Sequence, residues 1–149
     1  MGSTVVNLLL AIGAGICLTL QASANGSFRK NLDDLWYPAF FSVCGTIITA
    51  LTLLTLFRPM PPALETIRST PWWNWIGGPL GALIVLAGAV LTPKLGAGVF
   101  LSAMVGGMLL SSMLMDHHGW MGLDVRGITA GRILGAVLVI SGVACIKFL

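Results

Sequence analysis

Gln21 and Asn25 stand four residues apart near the end of the first apolar run, "ICLTLQASANGSF" (16–28). In a helix that spacing puts both amides on one face, one turn apart. An amide buried without a partner is costly, so in a membrane span each must bond a neighbouring helix or meet a solute. For Gln21, the deepest strongly polar side chain, an interhelical hydrogen bond and a substrate contact are both open. For Asn25, nearer the interface, capping or water contact competes. A second polar group lies in "SSMLMDHHG" (111–119). Ser112 either lines a pathway or bonds back to its own helix. Asp116 ends its apolar run, where a carboxylate meets water and Arg or His partners; ion coupling is the sharper reading of it. His117 and His118 lack the acidic and metal-ligand framework of a metal or phosphoesterase centre and read as interfacial polar residues. Cys17, Cys44 and Cys145 each sit inside an apolar run without metal-ligand spacing, as small hydrophobes. With no Ser/His/Asp set, phosphate loop or metal cluster, the sequence predicts no catalytic residue, no metal and no cofactor, and an enzyme is not expected.

The elements that position these groups follow from composition. The chain has 149 residues, 56% hydrophobic and 9% charged, against about 25% charged in soluble domains. Its mean hydropathy is +0.95. These values predict an all-α, polytopic membrane protein forming one membrane domain over 1–149, with membrane lipid as its surroundings. The net charge of +3 is scattered between apolar runs, which argues against a nucleic-acid partner. Crossing about 30 Å of hydrocarbon takes roughly 20 apolar residues, and five segments qualify, approximately 4–25, 35–57, 75–92, 95–115 and 129–148. The Pro-rich linker 58–74 has room for one or two interfacial helical turns. Ala22-Ser23-Ala24 has the form of a signal-peptidase site, but residues 1–15 carry no Lys or Arg. A secretory signal needs a positive n-region, so the first helix is expected to be retained.

Small residues mark a seam on every span: Gly13 leading to Cys17 in the first, Gly45 with Ser42 and Thr49 in the second, Gly77 and Gly78 in the third, Gly106 in the fourth, Gly131 and Gly135 in the fifth. Such seams let helix backbones approach closely in lipid. "PWWNWIGG" gathers Trp72, Trp73 and Trp75, an aromatic belt at the interface or, with Trp73 or Trp75 turned inward, an apolar cavity wall. No Asp, Glu, Lys or Arg lies in the middle of a span. Proton-coupled cation exporters use a buried carboxylate, so a neutral or amphipathic solute fits better than a strongly cationic one. Five spans place Arg58, Arg68, Arg126 and Arg132 on one side and Arg29, Lys30, Lys94 and Lys147 on the other. Four against four gives no preferred orientation. Either a weak bias is hidden by a residue near a boundary, or copies insert both ways and pair as an antiparallel homodimer of ten helices, the geometry of an inverted repeat.

"LQASAN", "FSVCGT", "PWWNWIGGPLGA" and "VGGMLLSSMLMDHHGWMGL", with Arg and Gly following in the last helix, together resemble the YdcZ-like family of small bacterial inner-membrane proteins, within the drug/metabolite transporter (DMT) superfamily. The resemblance implies a multi-pass inner-membrane protein related to half of a ten-helix DMT exporter, dimerising with itself or with a paralogue, often antiparallel. Gln21, Asn25, Trp72, Trp73, Gly77, Gly78, Ser112 and Asp116 match the family pattern. Met108 departs from it, standing where the family commonly has Gln eight residues before the Asp, which implies a more apolar cavity. The functional expectation is a transporter of a small amphipathic or lipid-like solute, working by alternating access as an antiparallel dimer, with Gln21, Asn25, Trp73, Trp75, Met108 and Ser112 as substrate contacts. The alternative is a non-transporting membrane scaffold, lipid-binding or partner subunit whose seams serve only assembly.

Overall fold

In hydrocarbon a backbone N–H or C=O has no water to bond, so a spanning segment of this composition must close its hydrogen bonds within itself as a helix. The computed structural model describes residues 2–149, and every regular element in it is helical. In chain order these are α1 (Gly2–Leu32), α2 (Trp36–Phe57), α3 (Leu64–Ser69), a 3₁₀ turn (Trp72–Trp75), α4 (Gly77–Leu95), α5 (Ala97–His118), a second 3₁₀ turn (Trp120–Gly122) and α6 (Ala130–Phe148). Five helical stretches are long and apolar enough to cross a membrane: α1, α2, Trp72–Leu95, α5 and α6. Hydroxyls along them bond back to their own helix, as Thr19 does to the Gly15 carbonyl, Thr49 to Gly45, Thr52 to Ile48 and Ser141 to Val137, at 2.8–3.0 Å.

The spans match the expected segments with shifts at their ends. α1 continues past residue 25 to Leu32. Its last turn carries Arg29 and Lys30, and cations there complement the negative end of the helix dipole, so the polar stretch extends the helix. The third span begins with the Trp cluster wound as a 3₁₀ turn, then continues as α4. Pro79 falls in the first turn of α4, where its missing N–H costs nothing.

Each helix end has a local cause. Asp34 Oδ1 accepts the backbone N–H groups of Trp36 and Tyr37 at 2.7 and 2.8 Å, satisfying donors that the start of α2 would otherwise orphan. α2 stops at Arg58 in the left-handed region, whose N–H reaches the Leu54 carbonyl, ahead of a run with Pro59, Pro61 and Pro62. α5 stops at Gly119, φ +63, with its N–H on the Met115 carbonyl. The Thr129 hydroxyl caps α6 by accepting from the Arg132 N–H at 3.3 Å.

The chain divides into two compact units, Met1–Lys94 and Leu95–Leu149. In the first, α1 packs on α2 and meets the end of α4; in the second, α5 packs along α6. Much of the apolar surface stays uncovered, including Leu10, Leu20, Leu56 and Leu138, which suits a lipid surround. Gly119 is a sensitive point. A Cβ there would meet Val125 Cγ2 at 2.8 Å and the Leu123 carbonyl oxygen at 3.1 Å, in a backbone conformation that disfavours L side chains by about 1–2 kcal/mol. Gly119→Ala is therefore expected to lower the thermal unfolding midpoint in detergent, whereas Gly127→Ala, with open space around it, should leave it nearly unchanged.

Candidate functional site

α1 and α2 run against each other with Gln21 facing the second helix, and between them lies a groove of about 460 Å³. Gln21, Ser42, Gly45, Thr46, Thr49 and Leu53 line it, with Ala50 beside them. The small residues on α2 are what make the groove. Three of its hydroxyl and glycine positions, Ser42, Gly45 and Thr49, fall on one face at spacings of three and four. Thr46 and Thr49 have their hydroxyls turned onto their own helix, on the Ser42 and Gly45 carbonyls at 3.1 and 2.9 Å, so they present mainly methyl groups. Gln21 differs: among the described residues its amide has no hydrogen-bond partner, and the residue is half-buried. It is the one strongly polar group offered to the groove.

Asn25, one turn on, is 7% exposed. Its Nδ2 donates to Ser42 Oγ at 3.2 Å, an interhelical bond that ties α1 to α2 at the end of the groove nearer the α1–α2 turn. Of the two amides, Asn25 is thus committed to the fold and Gln21 is free. Just beyond, Gly26 lets α1 touch α4: a Cβ would lie 3.1 Å from Pro93 Cδ and 3.3 Å from Thr92 Cβ. The Thr92 hydroxyl, buried in this contact, has no partner among the described residues. Arg29 Nη1 then donates to the Val90 carbonyl at 3.1 Å, placing a cation at the C-terminal end of α4. Gly26 and Arg29 were not among the sequence candidates; their signal was only their place one residue and one turn beyond Asn25.

The other candidates lie elsewhere. Trp73 is half-buried and packs edge-on against Trp72, with ring centroids 6.1 Å apart, while Trp75 is 59% exposed. Neither lines the groove. Met108 and Ser112 belong to the second unit, both exposed, and the Ser112 hydroxyl donates to the Leu109 carbonyl at 2.9 Å. Asp116 forms an ion pair with Arg132, joining the end of α5 to the start of α6. The same Arg132 donates to the Arg126 carbonyl at 3.1 Å, and the Arg126 N–H donates to the Asp116 carbonyl at 2.8 Å. The Arg132 and Asp116 side chains are 30% and 24% exposed. Of the seam glycines, a Cβ on Gly106 would lie 4.0 Å from Val143 Cγ2 of α6, and one on Gly131 would lie 4.0 Å from the Thr129 hydroxyl of its own cap. Gly13, Gly45, Gly77, Gly78 and Gly135 have open space where a Cβ would stand.

The family model "DMT_YdcZ: Putative inner membrane exporter, YdcZ" matches residues 6–145. The chain belongs to this DMT_YdcZ family. No curated protein and no solved structure matches it. The match reaches all five spans, and with them it makes the chain a multi-pass inner-membrane protein of an exporter family. A DMT_YdcZ exporter needs a solute path through apolar helices, and in the first unit the Gln21 groove combines an apolar wall with a free, uncharged polar group.

The division of labour between the two amides is testable. Asn25→Ala removes the bond to Ser42, and interhelical hydrogen bonds of this kind are worth about 1 kcal/mol. Asn25→Ala and Ser42→Ala are expected to lower the unfolding midpoint by similar amounts, with the double variant no worse than either single one. Gln21→Ala should leave the midpoint where it is.

Proposed function

We propose that this family member exports a small amphipathic or lipid-like solute by alternating access, as an antiparallel pair of copies, with both compact units serving one membrane domain. The observation that carries this is the unpartnered amide of Gln21 in a groove whose α2 wall, Gly45 to Leu53, is exposed along its length. One chain supplies a half-walled groove; a second copy inserted the other way up supplies the missing wall and a second Gln21. The equal distribution of cations, four on each side of the five spans, supports insertion in both orientations, because the positive-inside bias is absent. The open space at Gly13, Gly45, Gly77, Gly78 and Gly135 supports close approach of another helix.

The chemistry of the groove favours neutral or zwitterionic amphiphiles. Its wall is methyl groups and glycine with one amide, and it contains no charged side chain; an isolated cation would find no counter-charge there. In this reading Trp73 and Trp75 extend the path in the assembled pair, and Met108 and Ser112 are substrate contacts offered by the second unit. Asp116 is held by Arg132, so coupling through Asp116 requires that pair to open.

Two experiments test the reading. In proteoliposomes assayed with a panel of neutral and zwitterionic amphipathic dyes, Gln21→Ala is expected to reduce flux to background while crosslinking still captures the dimer; undiminished flux would remove Gln21 from the mechanism. C-terminal reporters in cells should show both orientations, and two Lys added to one side should shift the ratio. A single orientation of the unaltered chain would rule out the antiparallel pair.

A further inference from the structure

At the C-terminal end of α1 lies another cavity, of about 320 Å³, bounded by Arg29, Lys30, Asp33, Asp34, Leu35 and Pro93. Four charges, two of each sign, ring one small space. Two of them are occupied by the fold: Arg29 on the Val90 carbonyl, and Asp34 on the N–H groups that start α2. The other two, Lys30 and Asp33, are exposed and make neither a hydrogen bond nor an ion pair among the described residues. They are three positions apart, a spacing at which opposite charges on a helix normally meet. Here the helix ends at Leu32, and Asp33 turns into the left-handed region at φ +49. That turn takes Asp33 off the helical path, so a free cation and a free anion stand on the rim unpaired.

The aromatic residues give the depth of this cavity. Trp36 and Tyr37 open α2 directly after it and are 67% and 59% exposed. Exposed Trp and Tyr at the ends of spans sit at headgroup level. A cavity lined only by cations would accept any anionic headgroup, and one lined only by acids any cation. A rim with both signs is matched by a ligand carrying both, and a singly charged ligand leaves one rim charge unanswered. At about 30 Å³ per water, the space holds roughly ten water-sized groups, enough for a short two-charge moiety.

We propose that this cavity binds a zwitterionic group, an ammonium joined by a short linker to a phosphate or carboxylate. Asp33 takes the ammonium; Lys30, with Arg29 behind it, takes the anion. The site is separate from the Gln21 groove and stands whether or not that groove carries flux. The same chemistry is offered by a zwitterionic phospholipid headgroup and by a soluble zwitterion.

The test is a thermal unfolding titration of the purified full chain in detergent with dihexanoyl phosphatidylethanolamine, dihexanoyl phosphatidylglycerol, which keeps the phosphate and acyl chains but lacks the ammonium, and free phosphoethanolamine. The ethanolamine lipid is expected to stabilise at about fivefold lower concentration than the glycerol lipid, the scale of one exposed ion pair. Asp33→Asn should erase that preference, and Lys30→Gln should weaken both lipids about fivefold. Asn tolerates the left-handed conformation and Gln is a good helix former, so both variants should match the unaltered chain's midpoint without lipid. Stabilisation by the lipid alone identifies a headgroup site, and equal stabilisation by free phosphoethanolamine identifies a soluble zwitterion; either supports the proposal. Equal response of the unaltered chain to the two lipids overturns it, as does unchanged ethanolamine-lipid binding in both variants.

Discussion

A spanning helix can spend its own hydrogen-bonding groups only on itself or on another helix, and that constraint organises this chain. Backbone groups close within helices, and most Ser and Thr hydroxyls on the spans turn back onto carbonyls of the same helix. What remains for contact between helices is a short set of polar links: Asn25 to Ser42, Arg29 to the Val90 carbonyl, and Asp116 to Arg132. The two charged links lie toward helix ends, where water or headgroups lessen the desolvation of their charges. Against that background an amide with no partner stands out, and Gln21 is one.

The links also explain why the chain can do without buried charge. Polar and charged groups toward the span ends link the helices, while the middle of each span is left largely apolar or small. The first unit is tied by an amide–hydroxyl bond and a cross-helix cap; the second is tied by an ion pair around which the connecting loop folds, with the Arg126 N–H on the Asp116 carbonyl. The family match over residues 6–145 and the five apolar helices give this arrangement its context, a multi-pass inner-membrane protein of an exporter family.

Much of this was legible in the residues. The number of spans followed from apolar run lengths, and their ends were read to within several residues, the largest error being at α1. There the polar stretch from Asn25 reads as an exit from the membrane, which it is, but leaving hydrocarbon does not oblige a helix to stop. Arg29 and Lys30 favour about two more turns beyond it, to Leu32. The Gln21–Asn25 pair was legible as a polar face, yet only the placement of Ser42 separates the committed amide from the free one. The seam glycines show the opposite limit. Their spacing states that a neighbour can come close, not which neighbour. Within one chain Gly106 meets another helix, while Gly26, outside the small-residue repeats, makes the tighter approach between helices. The Asp116–Arg132 pair was foreseeable in kind, since an interfacial carboxylate needs a cation, but the choice of Arg132 over the adjacent histidines comes from the fold of the loop.

The contact at Gly26 has a mechanical consequence. α1 runs from Gly2 to Leu32, so Gly26 divides it into arms of 24 and 6 residues (26 − 2 and 32 − 26). At about 1.5 Å per residue, these are roughly 36 Å and 9 Å long. The short arm is pinned by Arg29 on α4, while the long arm carries no charged side chain. A rigid-rod pivot at the Pro93–Gly26 contact would have a leverage of about four to one. A tilt that shifts the interfacial end of α1 by an ångström sweeps the far end through about four, which is the scale on which a groove alongside the long arm widens or shuts.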